Sequence, residues 1–224
     1  MLNIGCYHKT GTHLIKRIFN NYKRMVWSGS PSFDFYWNFY FAPRSGQSIV
    51  IIRHPMEIIM SGVRYHQVSN ESWLHKPHHT RRIHHPFPKN GYTADAEPRK
   101  DTYSEIIKRL PMDKKIIFEM ENAATTTIPH MLYDFTYREN TLFFQIEELY
   151  DESNVRPLSK RIAKFSGFDE NYLEKAIREA MSKKYNATTK VLAHTYKRHF
   201  KPVHYELFHK QFPSATLEVL GYSE

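Results

Sequence analysis

The apolar positions fall first into a short run, Leu2 to Tyr7, which reads as a buried strand. A polar stretch, His8-Lys9-Thr10-Gly11-Thr12-His13, follows at once. Leu14, Ile15, Ile18, Phe19 and Tyr22 then recur at i, i+1, i+4, i+5 and i+8, the stripe of an amphipathic helix. A second strand is expected at 24–28. Ser48 to Ile52 is a continuous run with four β-branched residues, typical of a parallel strand buried on both faces. Arg53-His54-Pro55 ends it. Pro55 suits a first helical position, and 56–66 reads as a helix through Ile58, Ile59 and Val63.

Helical patterns resume at 101–110 and about 115–135, with Pro129 marking a kink or break. Thr141 to Ile146 reads as another strand. Helices are expected at 155–166, 169–184 and 204–212, while 216–220 fits either state. Strands alternating with helices predict an α/β chain, a P-loop-like three-layer fold with a central, mostly parallel sheet flanked by helices. The 224 residues are expected to form one domain, 1–224, with no internal repeat. The stretch 67–100 differs. It holds Pro77, Pro86, Pro88, Gly91 and Pro98 among clustered His, Lys and Arg, and predicts a long irregular segment.

Composition narrows the function classes. With 41% hydrophobic and 25% charged residues the chain is ordinary globular protein, not a disordered or fibrous one. Cys6 stands alone, so no intrachain disulfide forms, as suits a reducing compartment. No apolar run is long enough to span a membrane, and the N-terminus has no basic region followed by an apolar one, so a cytoplasmic location is expected. The formal charge is +9, from 32 Lys+Arg against 23 Asp+Glu. That balance favours anionic partners: a phosphate-rich cofactor, a sulfated or acidic substrate, nucleic acid or a membrane surface.

The first loop carries the most chemistry. A glycine-containing turn at a helix N-terminus presents free backbone N–H groups under a partial positive charge, where a phosphate fits. Lys9 adds a full charge, and Thr10 and Thr12 add hydroxyls. The loop is not a Walker A motif: Lys9 precedes Gly11 by two residues, whereas the Walker order puts Lys directly after Gly. Arg53 stands at the carboxyl end of the second well-defined strand, where an open parallel sheet places its ligands. Lys9 and Arg53 are therefore expected to share one crevice, with Ser61, two turns into the next helix, aimed at the same anion.

These residues resemble a family. Cys6-Tyr7-His8-Lys9-Thr10-Gly11-Thr12 is similar to the 5′-phosphosulfate loop of sulfotransferases that use 3′-phosphoadenosine 5′-phosphosulfate (PAPS), of the form PKSGTT or HKTGTT. Ile51 to Gly62 (IIRHPMEIIMSG) resembles their 3′-phosphate segment, R(N/D)P(K/R)(D/E)xxxS, with Ser61 eight residues after Arg53 and His54 in the place of Asn or Asp. Leu142 to Leu149 (LFFQIEEL), with Ile162 to Phe168 (IAKFSGF), resembles a further stretch. Thr189-Lys190-Val191 and Tyr196 to Phe200 fall where the family has RKG and then WK..F. The resemblance implies a sulfuryl transfer from PAPS to a hydroxyl or amine, with 3′,5′-adenosine bisphosphate (PAP) as product and no metal required. It implies a donor site of His8, Lys9, Thr10, Gly11, Thr12, His13, Arg53, Ser61 and Lys190, with Lys9 stabilising the leaving phosphate.

The family's general base does not transfer onto a matching residue. His66 and Asp34 are the first candidates, with Glu71 and His13 as further ones. The acceptor is expected to be a small molecule or carbohydrate, with no nucleic-acid partner, and neither the oligomeric state nor the acceptor's identity is legible. His75, His78, His79, His84 and His85 match no closed metal-site spacing and fit better as part of a basic lid with Lys76, Arg81 and Arg82, or as a solvated loop. The rival readings are a magnesium-dependent P-loop nucleotide kinase or phosphotransferase, and a basic nucleic-acid-binding protein that stacks bases on its many aromatics.

Overall fold

The strands are held by parallel pairing around the first one. The structure is a computed structural model and describes residues 2–26, 32–76, 101–182 and 195–224. Strand β1 (Leu2–Cys6) pairs with β2 (Phe33–Tyr36) on one side and β3 (Gln47–Ile52) on the other, and β3 pairs with β4 (Thr141–Gln145). The order is β2-β1-β3-β4 and every pair is parallel, so the expected α/β class with a central parallel sheet flanked by helices is the one found.

Contacts divide the chain into two compact units, each assembled from two segments. The first is Met1–Arg53 with Tyr137–Ala193, and the second is His54–Thr136 with His194–Glu224. In the first unit the register puts Leu2, Ile4, Cys6, Phe33, Phe35, Ile49, Ile51, Leu142 and Phe144 on one face of the sheet. That face joins one hydrophobic core with the apolar sides of α1 (Thr12–Met25), α6 (Glu152–Ser166) and α7 (Glu170–Ser182). Val50 and Ile52, on the opposite face, are also buried, as the unbroken apolar run of β3 predicts.

The second unit is helical among its described residues. It contains α2 (Pro55–Tyr65), α3 (Tyr103–Arg109), α4 (Met112–Glu121), α5 (Ala124–Tyr137), α8 (Pro202–Gln211) and α9 (Thr216–Val219). Helix α2 packs on α4, and α4 on α8. Leu74, Tyr103, Ile107 and Phe118 form a small core under α3.

Two expectations are corrected. No strand occupies the described part of 24–28: α1 continues to Met25, because Met25 extends the Ile18–Tyr22 stripe by one turn. The second strand is instead 33–36, where Phe33 and Phe35 alternate with Asp34 and Tyr36. The break within 115–135 lies at Asn122, which has φ −117° and ψ −88°, and not at Pro129. Pro129 sits in the second turn of α5, close enough to the helix start for its missing N–H to remove a single intrahelical bond. The segment after α2 contains a 3-10 turn, Ser72–His75, and the rest of the expected irregular stretch, 77–100, lies outside the described residues.

Candidate functional site

The sheet order reverses direction between β1 and β3. The chain leaves β1 toward β2 on one side, then returns to place β3 on the other. In open parallel sheets that switch point opens a crevice at the carboxyl ends of the two strands. The Lys9 loop follows β1 and Arg53 follows β3, so both candidates stand at this point within the first unit. They are joined there: Arg53 Nη1 donates to the Lys9 carbonyl oxygen at 3.2 Å, and Arg53 is buried.

The loop is locked by its own residues. Thr10 is fully buried; its Oγ1 accepts from the Tyr7 amide at 2.8 Å and donates to the Tyr7 carbonyl at 2.9 Å. A threonine hydroxyl has one proton, and this one is spent on the loop. Thr10 therefore shapes the turn, in place of the expected hydroxyl donor to an anion. Thr12 Oγ1 instead accepts from the Cys6 thiol at 3.2 Å, which leaves the Thr12 proton to be given elsewhere. Burial pushes the Cys6 thiol up to about 12, with the Thr12 contact pulling slightly the other way, so it is the protonated donor at neutral pH.

Lys9 takes the left-handed region at φ 65°, and Gly11, the N-cap of α1, does so at φ 104°. Gly11 is required twice over. An L side chain is strained at that φ, and a Cβ there would stand 2.6 Å from Ile146 Cδ1. A glycine N-cap offers no side-chain oxygen to the helix, and the first turn of α1 holds no acidic residue. The positive end of the helix dipole is thus neutralised by none of its own side chains. Beside it, Glu148 Oε1 accepts from the Gln145 amide at 2.9 Å and from Arg161 at 2.9 Å, fixing the end of β4 and the turn that carries Ile146. This gives the LFFQIEEL stretch its local role.

In the second unit, His54 is the N-cap of α2. Its Nδ1 accepts from the Met56 amide at 3.2 Å, so Nε2 carries the proton and donates to the Ser223 carbonyl at 3.1 Å. His54 thereby performs the capping that Asn or Asp most often performs at a helix start. Glu57, also in that segment, is buried and accepts from Thr195 Oγ1 at 2.7 Å and the Tyr196 amide at 3.0 Å, which anchors the 3-10 turn Thr195–Arg198. Ser61 lies half-buried on the second turn of α2, and among the described residues its hydroxyl makes no bond back to the helix.

The base candidates separate. The register sets Asp34 opposite Asn3, three residues short of Cys6, about 10 Å along the strand from the carboxyl edge. It is exposed there, away from the Lys9 loop. His66 is fully buried after α2, with Nδ1 2.8 Å from Glu119 Oε2. Glu119 also accepts from Tyr103 at 2.7 Å. Glu71 is half-buried and accepts from Tyr65 at 2.8 Å and Trp73 Nε1 at 2.6 Å. His8 and Lys9 are half-buried and His13 is exposed in the first turn of α1, its ring 6.3 Å from that of Trp37. Lys190 and its neighbours Thr189 and Val191 lie outside the described residues, as do His78, His79, Arg81, Arg82, His84 and His85.

The loop that follows β2 escaped the sequence reading. Arg138 Nη1 and Nη2 donate at 3.1 Å to the carbonyls of Pro43 and Ala42, and its guanidinium lies 4.1 Å over the Phe39 ring. Nothing in the local sequence around Arg138 signals contacts about a hundred residues away.

Among the described residues no helix is long and apolar enough to cross a membrane. No family model matches the chain, and no curated protein matches it in sequence. Its fold is similar to that of a mouse sulfotransferase, SULT7A1, crystallised in complex with PAP, with a TM-score of 0.56 over 98% of this chain and 87% of that one at 13% sequence identity.

Proposed function

We propose that the chain is a PAPS-dependent sulfotransferase. The observation that carries the reading is the anion-ready helix start at the switch point of the sheet. There, an uncapped N-terminus without acidic residues is bound to Arg53 through the Lys9 carbonyl. The arrangement suits a 5′-phosphosulfate, and the sulfotransferase neighbour with PAP has the same fold.

PAPS supplies an activated sulfuryl group. In the transfer, the bond between sulfur and the 5′-phosphate oxygen breaks, a bond from sulfur to an acceptor oxygen or nitrogen forms, and the acceptor proton leaves. The products are the sulfated acceptor, PAP and one proton. In this reading the backbone amides at the start of α1 and the Thr12 hydroxyl hold the phosphate, and Lys9 balances the charge gained by the leaving oxygen. Arg53, with the forked geometry that suits phosphate, and Ser61 take the 3′-phosphate. Lys190 belongs to the same proposal on the resemblance alone. Glu71 and His13 remain as bases, because His66 is buried against Glu119 and Asp34 sits below the carboxyl edge.

Calorimetric titration with PAP, with 5′-AMP as comparison, tests this. PAP is expected to bind at least about tenfold more tightly than AMP, and Arg53→Ala to lose that preference, since charge-assisted bonds to phosphate contribute about 1.5–3 kcal/mol. Equal binding of the two nucleotides, or of neither, refutes the proposal.

A further inference from the structure

Helix α1 begins at the donor loop and carries its cations on one side. Taken at 100° per residue, His13, Lys16, Arg17, Lys23 and Arg24 fall within an arc of about 120°, opposite the Ile15, Ile18, Phe19 and Tyr22 stripe. Thr12–Met25 contains no acidic residue. From His13 to Arg24 the face runs about 16 Å along the helix.

These cations differ from two others of the same unit. Arg161 pairs with Glu148, and Arg178 with Glu152 and Glu174. Among the described residues, Lys16, Lys23 and Arg24 have no carboxylate partner; Lys16 and Lys23 lie instead over aromatic rings, and Arg24 bonds Asn21. Lys16 Nζ stands 4.6 Å from the centre of the Trp37 ring, and Trp37, just beyond the edge strand β2, is 47% exposed. Three cations without a carboxylate partner among the described residues, with an exposed indole beside them, on the helix that starts at the sulfuryl loop, have the chemistry of a site for a charged sugar chain. The cations meet carboxylates or sulfates, and the indole meets the apolar face of a pyranose ring.

We propose that the exposed face of α1, with Trp37, binds a polyanionic polysaccharide, and that this chain is the acceptor. The acceptor half of the proposal rests on the sulfotransferase reading; the binding face stands on the observations above. A nucleic acid also meets cations and stacks on indole, but among the described residues the face carries one indole, Trp37, and no succession of indole platforms for consecutive bases, which makes the sugar chain the better fit.

The test is binding of size-defined heparin fragments at two salt concentrations, with polyphosphate and oligothymidylate as comparison polyanions and PAP binding followed in parallel. Lys16→Glu/Lys23→Glu/Arg24→Glu is expected to weaken heparin about tenfold or more and flatten its salt dependence, with PAP affinity unchanged. The single Lys16→Ala should weaken it in the same direction, which covers the case of a triple variant that folds poorly. Reversal of three exposed cations on α6, Arg156, Lys160 and Lys164, should have little effect. Trp37→Ala should weaken heparin roughly threefold or more and leave polyphosphate unchanged. Equal losses in the two triple variants overturn the site, because they indicate net charge alone. Oligothymidylate binding as tightly as heparin, or insensitivity to Trp37→Ala, overturns the sugar assignment. If the wild type fails to bind PAP while the heparin results hold, the acceptor role falls with the donor reading and the binding face remains.

Discussion

His54 shows how a single side chain can depart from a motif and keep its physics. The position opens α2 and must satisfy an amide that the helix cannot. Its imidazole does so through Nδ1, and this fixes the tautomer that lets Nε2–H hold the Ser223 carbonyl, with the ring stacked 4.6 Å from Tyr196. His54→Ala removes the cap and is expected to cost about 1–2 kcal/mol, while His54→Asn restores the cap and recovers roughly half of the loss. Urea titrations of the two variants decide this; identical stabilities would mean that the cap contributes nothing. The meeting of Arg53 with the Lys9 loop and the left-handed turn at Gly11 were legible in advance, because strand order and backbone freedom carry them. Residue identity misled at Thr10, whose hydroxyl is turned onto Tyr7. Which way a hydroxyl points is settled by loop geometry, and six residues of sequence do not contain it.

At the scale of elements, α1, β1 and β3 were readable because their apolar spacing is strong and unbroken. Strand β2 was not, since a run of only four residues carries too little periodicity, and its pairing with β1 is decided by partners elsewhere in the chain. The α4–α5 break at Asn122 was hidden for the same reason: Pro129 is the louder signal and the weaker constraint. The contact of α2 with α4 was also invisible. It depends on Gly62, where a Cβ would stand 2.0 Å from Glu119 Oε1, and on the His66–Glu119–Tyr103 chain buried beside it. Gly62→Ala therefore forces Glu119 away from α2. His66→Ala leaves Glu119 buried with one partner fewer. Each is expected to lower stability by about 3 kcal/mol, the scale of a broken buried pair. A thermal melt reads both. If His66→Ala melts with the wild type but abolishes turnover, His66 returns as a base, and its role in joining the helices is refuted.

For the whole molecule, the buried titratable groups set the pH window of stability. The Cys6 thiol is raised from 9.0 to about 12 by burial, and Tyr196 is raised to about 12 for the same reason. A raised folded value means that the native state keeps its proton where the unfolded chain has lost it. The stability is complete below pH 9 and erodes as pH climbs toward 12, for Cys6 by about 1.4 kcal/mol per unit. On the acid side, burial lowers His204, whose Nδ1 accepts from the Lys201 amide at 2.9 Å. The unfolded chain binds that proton first, so this contribution is present above 6.5 and is lost as pH falls below it. The carboxylates of Glu105 and Asp151, held down chiefly by bonds from Thr102 and Ser153, add a further loss in more acidic solution. Urea unfolding from pH 5 to 11 is expected to give a plateau between roughly 6.5 and 9. Cys6→Ala assigns the alkaline limb. The variant starts less stable at pH 7, because a buried side chain is trimmed, but its decline above pH 9 should be shallower than that of the native chain by about 1.4 kcal/mol per unit. Parallel declines would show that Cys6 ionises as freely in the folded protein as in the unfolded one, and that burial beneath the Lys9 loop does not hold the proton on its thiol.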